Sequence, residues 1–132
     1  MAEVLINYWS ILSAAIASIL VGYAWYSPLL FGNIWLRLSK LSVKKQDKKK
    51  MARQYIIMFI SSLITAYVLS FFVRGLTLNN SIGVVFWLWL GFIATTTISG
   101  VLWENKPVKL YLINNGYSLV SLIIMAIIFS IL

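Results

Sequence analysis

The sequence predicts an all-α polytopic membrane protein: four transmembrane helices in an antiparallel bundle, with a short interfacial segment between helices 1 and 2. Three observations predict it. The 132 residues are 61% hydrophobic, too apolar for an ordinary soluble domain. Four apolar runs, Val4–Tyr26, Tyr55–Val73, Ile82–Trp103 and Val108–Leu132, hold 23, 19, 22 and 25 residues, and about 20 helical residues cross a hydrocarbon core of roughly 30 Å. Only 11% of the residues are charged, and apart from Lys109 they lie outside the four runs. A soluble four-helix protein would need more polar positions than remain to cover it. The whole chain, 1–132, therefore reads as one transmembrane domain.

The formal charge of +8 is unevenly placed. Eight of the eleven basic residues (Arg37, Lys40, Lys44, Lys45, Lys48, Lys49, Lys50 and Arg53) fall in one loop region. No aromatic-and-basic groove accompanies them, so nucleic acid is not the expected partner. A membrane-flanking loop is expected instead, either setting topology or also attracting anionic lipid at about 1 kcal/mol per residue near the surface. If that loop is cytoplasmic, Lys106 and Lys109 join it and Arg74 alone is opposite. The positive-inside rule then predicts a multi-pass protein of the cell membrane, N-out and C-out, with loops 27–54 and 104–107 cytoplasmic.

The first helix is expected over about 4–26. No basic residue precedes it, and the cleavage-like Ala15-Ile16-Ala17 sits mid-run, so it reads as a retained span rather than a signal. Ser10, Ala14, Ser18 and Gly22 recur every four residues, with Asn7 and Tyr26 extending the stripe. Small side chains on one stripe let another backbone approach. The stretch Gly22–Trp35 reads as the membrane exit. Pro28 restricts Ser27 and stops the helix, while Trp25, Tyr26 and Trp35 suit the membrane–water boundary. Ile34, Leu38 and Leu41 share one face and Arg37 and Lys40 another, which fits an amphipathic segment in the headgroup zone; the other reading is a plain loop.

Ser42 can cap a second helix expected over 43–73, its membrane part 55–73. Met58, Ser62, Ala66 and Ser70 form a second stripe, and Arg74-Gly75 closes the helix. Leu76 to Ser81, with Asn79-Asn80, reads as a turn-rich connection. The third helix, 82–103, carries Gly83, Trp87, Gly91, Thr95 and Ser99 at four-residue spacing. It also holds Thr95-Thr96-Thr97, whose hydroxyls can bond their own helix or another. Glu104-Asn105-Lys106-Pro107 is a tight connection, with Pro107 suited to the start of a fourth helix over 108–132. Short connections make helices 3 and 4 antiparallel neighbours.

Four groups are candidate sites, each with two readings. Glu104 is a proton or cation site, or a boundary carboxylate that caps a helix or pairs with Lys106, Lys109 or Arg37. Thr95, Thr96, Asn114 and Ser118 form a polar intramembrane cluster that lines a pathway, or glue between helices. Asn114, read as a buried amide, is part of a pocket with Asn7, Thr95 or Tyr117, or is itself such glue. Trp25, Tyr26, Pro28 and Trp35 form an interfacial anchor and turn, or the rings stack on a ligand. The sequence has neither Cys nor His. Nothing in it resembles an acid–base pair, a nucleophile with its base or a metal cage. No catalytic residue, metal or cofactor is expected.

The stretch Tyr-Ala-Trp-Tyr-Ser-Pro-Leu-Leu-Phe-Gly-Asn-Ile-Trp, residues 23–35, resembles the signature of a small bacterial membrane family catalogued as domain of unknown function 1761. Residues 51–55 (Met-Ala-Arg-Gln-Tyr), 89–96 (Trp-Leu-Gly-Phe-Ile-Ala-Thr-Thr) and 109–117 (Lys-Leu-Tyr-Leu-Ile-Asn-Asn-Gly-Tyr) look similar to the same family, in order. The resemblance implies a four-helix integral membrane protein and supplies no catalytic or ligand residues. Asn105 stands where the resemblance leads one to expect glycine. The function expected is that of a non-enzymatic structural or interaction protein with a lipid-facing basic loop. The alternative is a homo-oligomeric small transporter or channel.

Overall fold

Four long apolar helices pack together, and a short fifth lies between the first two spans. The structure, a computed structural model, describes residues 8–39 and 48–132, without the side chains of residues 39, 48, 50 and 51. The helices are α1 (Tyr8–Trp25), α2 (Gly32–Ser39), α3 (Lys48–Val73), α4 (Leu78–Trp103) and α5 (Val108–Ile131). Asn7, Leu41, Ser42, Lys40, Lys44, Lys45 and the expected helical residues 43–47 lie outside the described residues. So do the side chains of Lys48 and Lys50.

The α5 helix packs against every other helix, most extensively against α4 and α1. The α1 stripe turns inward: Ser10, Ala14 and Ser18 are buried. Ile11 and Ala14 join Ala66 and Leu69 of α3, Val85 of α4 and Met125 and Ala126 of α5 in one apolar core. The α3 stripe is divided, with Ala66 and Ser70 buried and Met58 exposed. Small residues at the buried positions allow the helices to close on one another, and dispersion contacts hold them where lipid supplies no hydrophobic drive.

Two features of α4 differ from expectation. It begins at Leu78, inside the expected connection, because Thr77 takes extended backbone angles and accepts the N–H of Asn80 as its cap. Its four-residue stripe also fails to pack inward. Trp87 is 68% exposed, Gly91, Thr95 and Ser99 are exposed, and no neighbouring atom lies within 4 Å of a Cβ built on Gly83 or Gly91. Residues Trp89–Ala94 are π-helical. The stripe faces outward on both sides of that turn, at Trp87 before it and at Thr95 and Ser99 after it.

The chain ends follow local chemistry. Pro28 follows the exit of α1, and Gly75 closes α3 with φ of 77°. Asn105, in the place where glycine was expected, adopts φ of 55°. Asn is among the few side chains that enter this left-handed region readily.

Candidate functional site

The candidate site is a polar seam between α4 and α5, continued by α1. It starts from the π-helical turn, whose carbonyls are not all matched to main-chain donors in the regular α pattern. Four consecutive carbonyls there accept side-chain hydroxyls. Thr95, Thr96 and Thr97 donate to Gly91, Phe92 and Ile93, and Tyr111 of α5 donates to Ala94 at 2.6 Å. The three-threonine run therefore covers the irregular turn that precedes it.

Asn115 ties this turn to α5. Its Oδ1 accepts from Thr97 at 3.0 Å, its Nδ2 donates to Tyr111 O at 3.0 Å, and its carbonyl accepts Trp89 Nε1 at 2.9 Å. Asn115 is 5% exposed. Asn114, the amide expected to be buried, is exposed and accepts Tyr26 Oη at 2.7 Å. Adjacent helical residues point about 100° apart, so the sequence Asn114-Asn115 carried the right chemistry without showing which amide faces inward.

Beside this seam lies a cavity of about 370 Å³ between α4 and α5. Thr96, Thr97, Asn114 and Asn115 line it together with Glu104 and Lys106. The last two form an exposed ion pair at 3.0 Å. Of the expected cluster, Thr96 and Asn114 share this cavity. Ser118 donates to the Asn114 carbonyl at 3.3 Å and lines a second cavity, also of about 370 Å³. Thr95 is exposed and bonds its own helix.

Toward α1 the seam continues through hydroxyls. Ser18 Oγ lies 2.6 Å from Ser121 Oγ, and Tyr117 Oη donates to the Ser18 carbonyl at 3.0 Å. Gly22 leaves room for Tyr117, whose hydroxyl would be 2.9 Å from an added Cβ. Gly116 does the same for Trp25. The exit aromatics are thus attached to α5. Trp25 Nε1 donates to Ile113 O at 3.0 Å, and its ring lies 4.7 Å from Phe31. Tyr26 meets Trp35 and Tyr117 edge-on, each at 5.5 Å. Just beyond the first span, the Tyr26 hydroxyl is pushed up to about 12 by burial and then by Tyr117, so it remains a hydrogen-bond donor at neutral pH. Pro28 is exposed in the turn between α1 and α2. Of the basic positions, Arg37, Lys49 and Arg53 are exposed.

The fold and the seam define the class: a multi-pass helical membrane protein by its four candidate spans, each long and apolar enough to cross. The chain belongs to the family described as "Protein of unknown function (DUF1761)", whose model matches residues 9–130. No match was found among curated proteins or among solved structures.

Proposed function

We propose that this chain is a non-enzymatic membrane protein with a structural or interaction role, whose basic side meets anionic lipid. One observation carries the reading. The polar side chains of the seam bond one another and the main chain: Ser18 with Ser121, Tyr111 with Ala94, Thr97 with Asn115, and Trp25 with Ile113. Groups engaged in this way fasten helices together, at about 0.6–2 kcal/mol for each interhelical bond. Proteoliposomes containing the purified chain and loaded with a pH- or potassium-sensitive dye are expected to leak no faster than protein-free vesicles. A saturable, protein-dependent flux would overturn the reading.

The cavity lined by Glu104 and Lys106 favours a second reading, a homo-oligomeric small transporter or channel. In that case flux appears, and Glu104→Gln reduces it.

The proposed orientation is N-out and C-out, with loops 27–54 and 104–107 cytoplasmic. Ten of the eleven basic residues then share one side. A reporter active only in the cytoplasm, fused after Leu132, is expected to be silent. An active fusion reverses the orientation.

A further inference from the structure

We infer that the cleft between α2 and α5 holds an anionic phospholipid, with its phosphate at Arg37 and Lys109 and an acyl chain against the carbon surface between them. The cleft has a volume of about 550 Å³. Its apolar walls come from Phe31, Ile34 and Leu38 on one side and Leu112 and Ile113 on the other. Arg37 and Lys109 line the same cleft. Charge complementarity selects the occupant. Among the described residues Glu104 is the one acidic side chain, and it pairs with Lys106 at 3.0 Å. Neither Arg37 nor Lys109 has an ion pair within the described residues. A guanidinium and an ammonium lining one cleft suit a phosphate, which the former can bind through two parallel N–H donors.

The carbon walls distinguish a lipid from a free phosphate, because they gain contact only from a ligand that carries methylene groups. Lys109 stands in the first turn of α5, and Leu112 and Ile113 follow about one turn farther along the helix. Cation and apolar wall therefore succeed each other along α5 as headgroup and acyl chain do in a phospholipid. α2 is held over this end of the bundle by the Tyr26–Trp35 and Trp25–Phe31 ring contacts, so the cleft has two anchored walls. The inference rests on the proposed lipid-facing role of the basic side and narrows it to one place.

The test titrates the full chain in detergent with dioleoyl phosphatidylglycerol and counts bound lipid by native mass spectrometry. One lipid is expected to persist at low lipid concentration. Dioleoyl phosphatidylcholine is expected to bind at least about tenfold more weakly, and inorganic phosphate is expected not to displace the lipid. Removing both charges, Arg37→Gln with Lys109→Gln, is expected to weaken binding roughly 30-fold. The Arg37→Lys with Lys109→Arg exchange should retain it. Leu112→Trp keeps both charges and alters an exposed position, yet it should lose the lipid by filling the cleft. The comparison Lys49→Gln with Arg53→Gln removes the same charge from α3 and should change binding less than about threefold.

Equal weakening by the two neutralised pairs would overturn the site while leaving diffuse lipid attraction intact. Displacement by phosphate, or full binding by Leu112→Trp, would overturn the acyl-chain part and with it the inference. Absence of any phosphatidylglycerol preference in the unaltered chain would overturn both the site and the lipid-facing role.

Discussion

Gly32→Ala is expected to lower stability by about 2–3 kcal/mol, seen as an earlier thermal transition by circular dichroism in detergent. The chain folds back tightly where α1 gives way to α2. Phe31 N donates to Trp25 O at 3.0 Å, and both Leu30 N and Gly32 N donate to Ser27 O, at 3.1 and 2.9 Å. A Cβ on Gly32 would lie 2.3 Å from Tyr26 O and 2.7 Å from Ser27 C. These are backbone atoms of the turn itself, so no side-chain rotation relieves the overlap. The turn must open, carrying α2 and its Trp35 ring away from Tyr26. Trypsin should then cut faster after Arg37. Gly91→Ala is the matching control, since open space surrounds that position and alanine favours helix by up to about 1 kcal/mol. Equal melting of Gly32→Ala and the unaltered chain would refute the close approach.

Ala14→Leu is expected to cost about 1–3 kcal/mol through overpacking. Ala14 is 0% exposed and lies in the core shared by α1, α3, α4 and α5. Three added carbons have no space unless α1 moves away from α3 and α5. That movement would lengthen the Ser18–Ser121 contact one turn farther on. The control is Leu20→Ala, at a position 64% exposed on the same helix. A midpoint for Ala14→Leu that matches the unaltered chain in both detergent and lipid would place that stripe outside the bundle.

The sequence shows these two predictions to different depths. Ser10, Ala14 and Ser18 were legible because an uninterrupted α-helix keeps its four-residue phase, and small residues mark the face that a neighbour approaches. Pro28 and the aromatics around it likewise marked the turn, since proline restricts its predecessor wherever it stands. What could not be read was the contact made across the turn: Gly32 against Tyr26 O is a matter of three-dimensional closure. The same limit applied to α4. Thr77 belongs to the residues that cap helices, yet Asn79-Asn80 beside it is the stronger turn signal and masks the cap. The π-helical residues Trp89–Ala94 have no sequence mark of their own. The Thr95-Thr96-Thr97 run shows hydroxyls able to bond their own helix or another, and the structure directs them to the carbonyls one turn earlier. The candidate cluster was legible in composition but not in facing, as Asn114 and Asn115 illustrate.

The pairing of α1 with α5 has a consequence for how the protein is made. Ser18 and Ser121 are separated by 103 positions in the chain, and the residues between them take roughly 5–20 s to synthesise. During that interval the first span has entered the bilayer without the helix that accepts its Trp25 donor and covers its serines. Its early partner is α3, which supplies Ala66 and Leu69 to the common core. A nascent chain that already holds α1 and α3 has the Ala66 and Leu69 contacts within reach, while the α1 face meant for α5 has no partner until α5 is made. Arrival of α5 closes that face and completes the bundle.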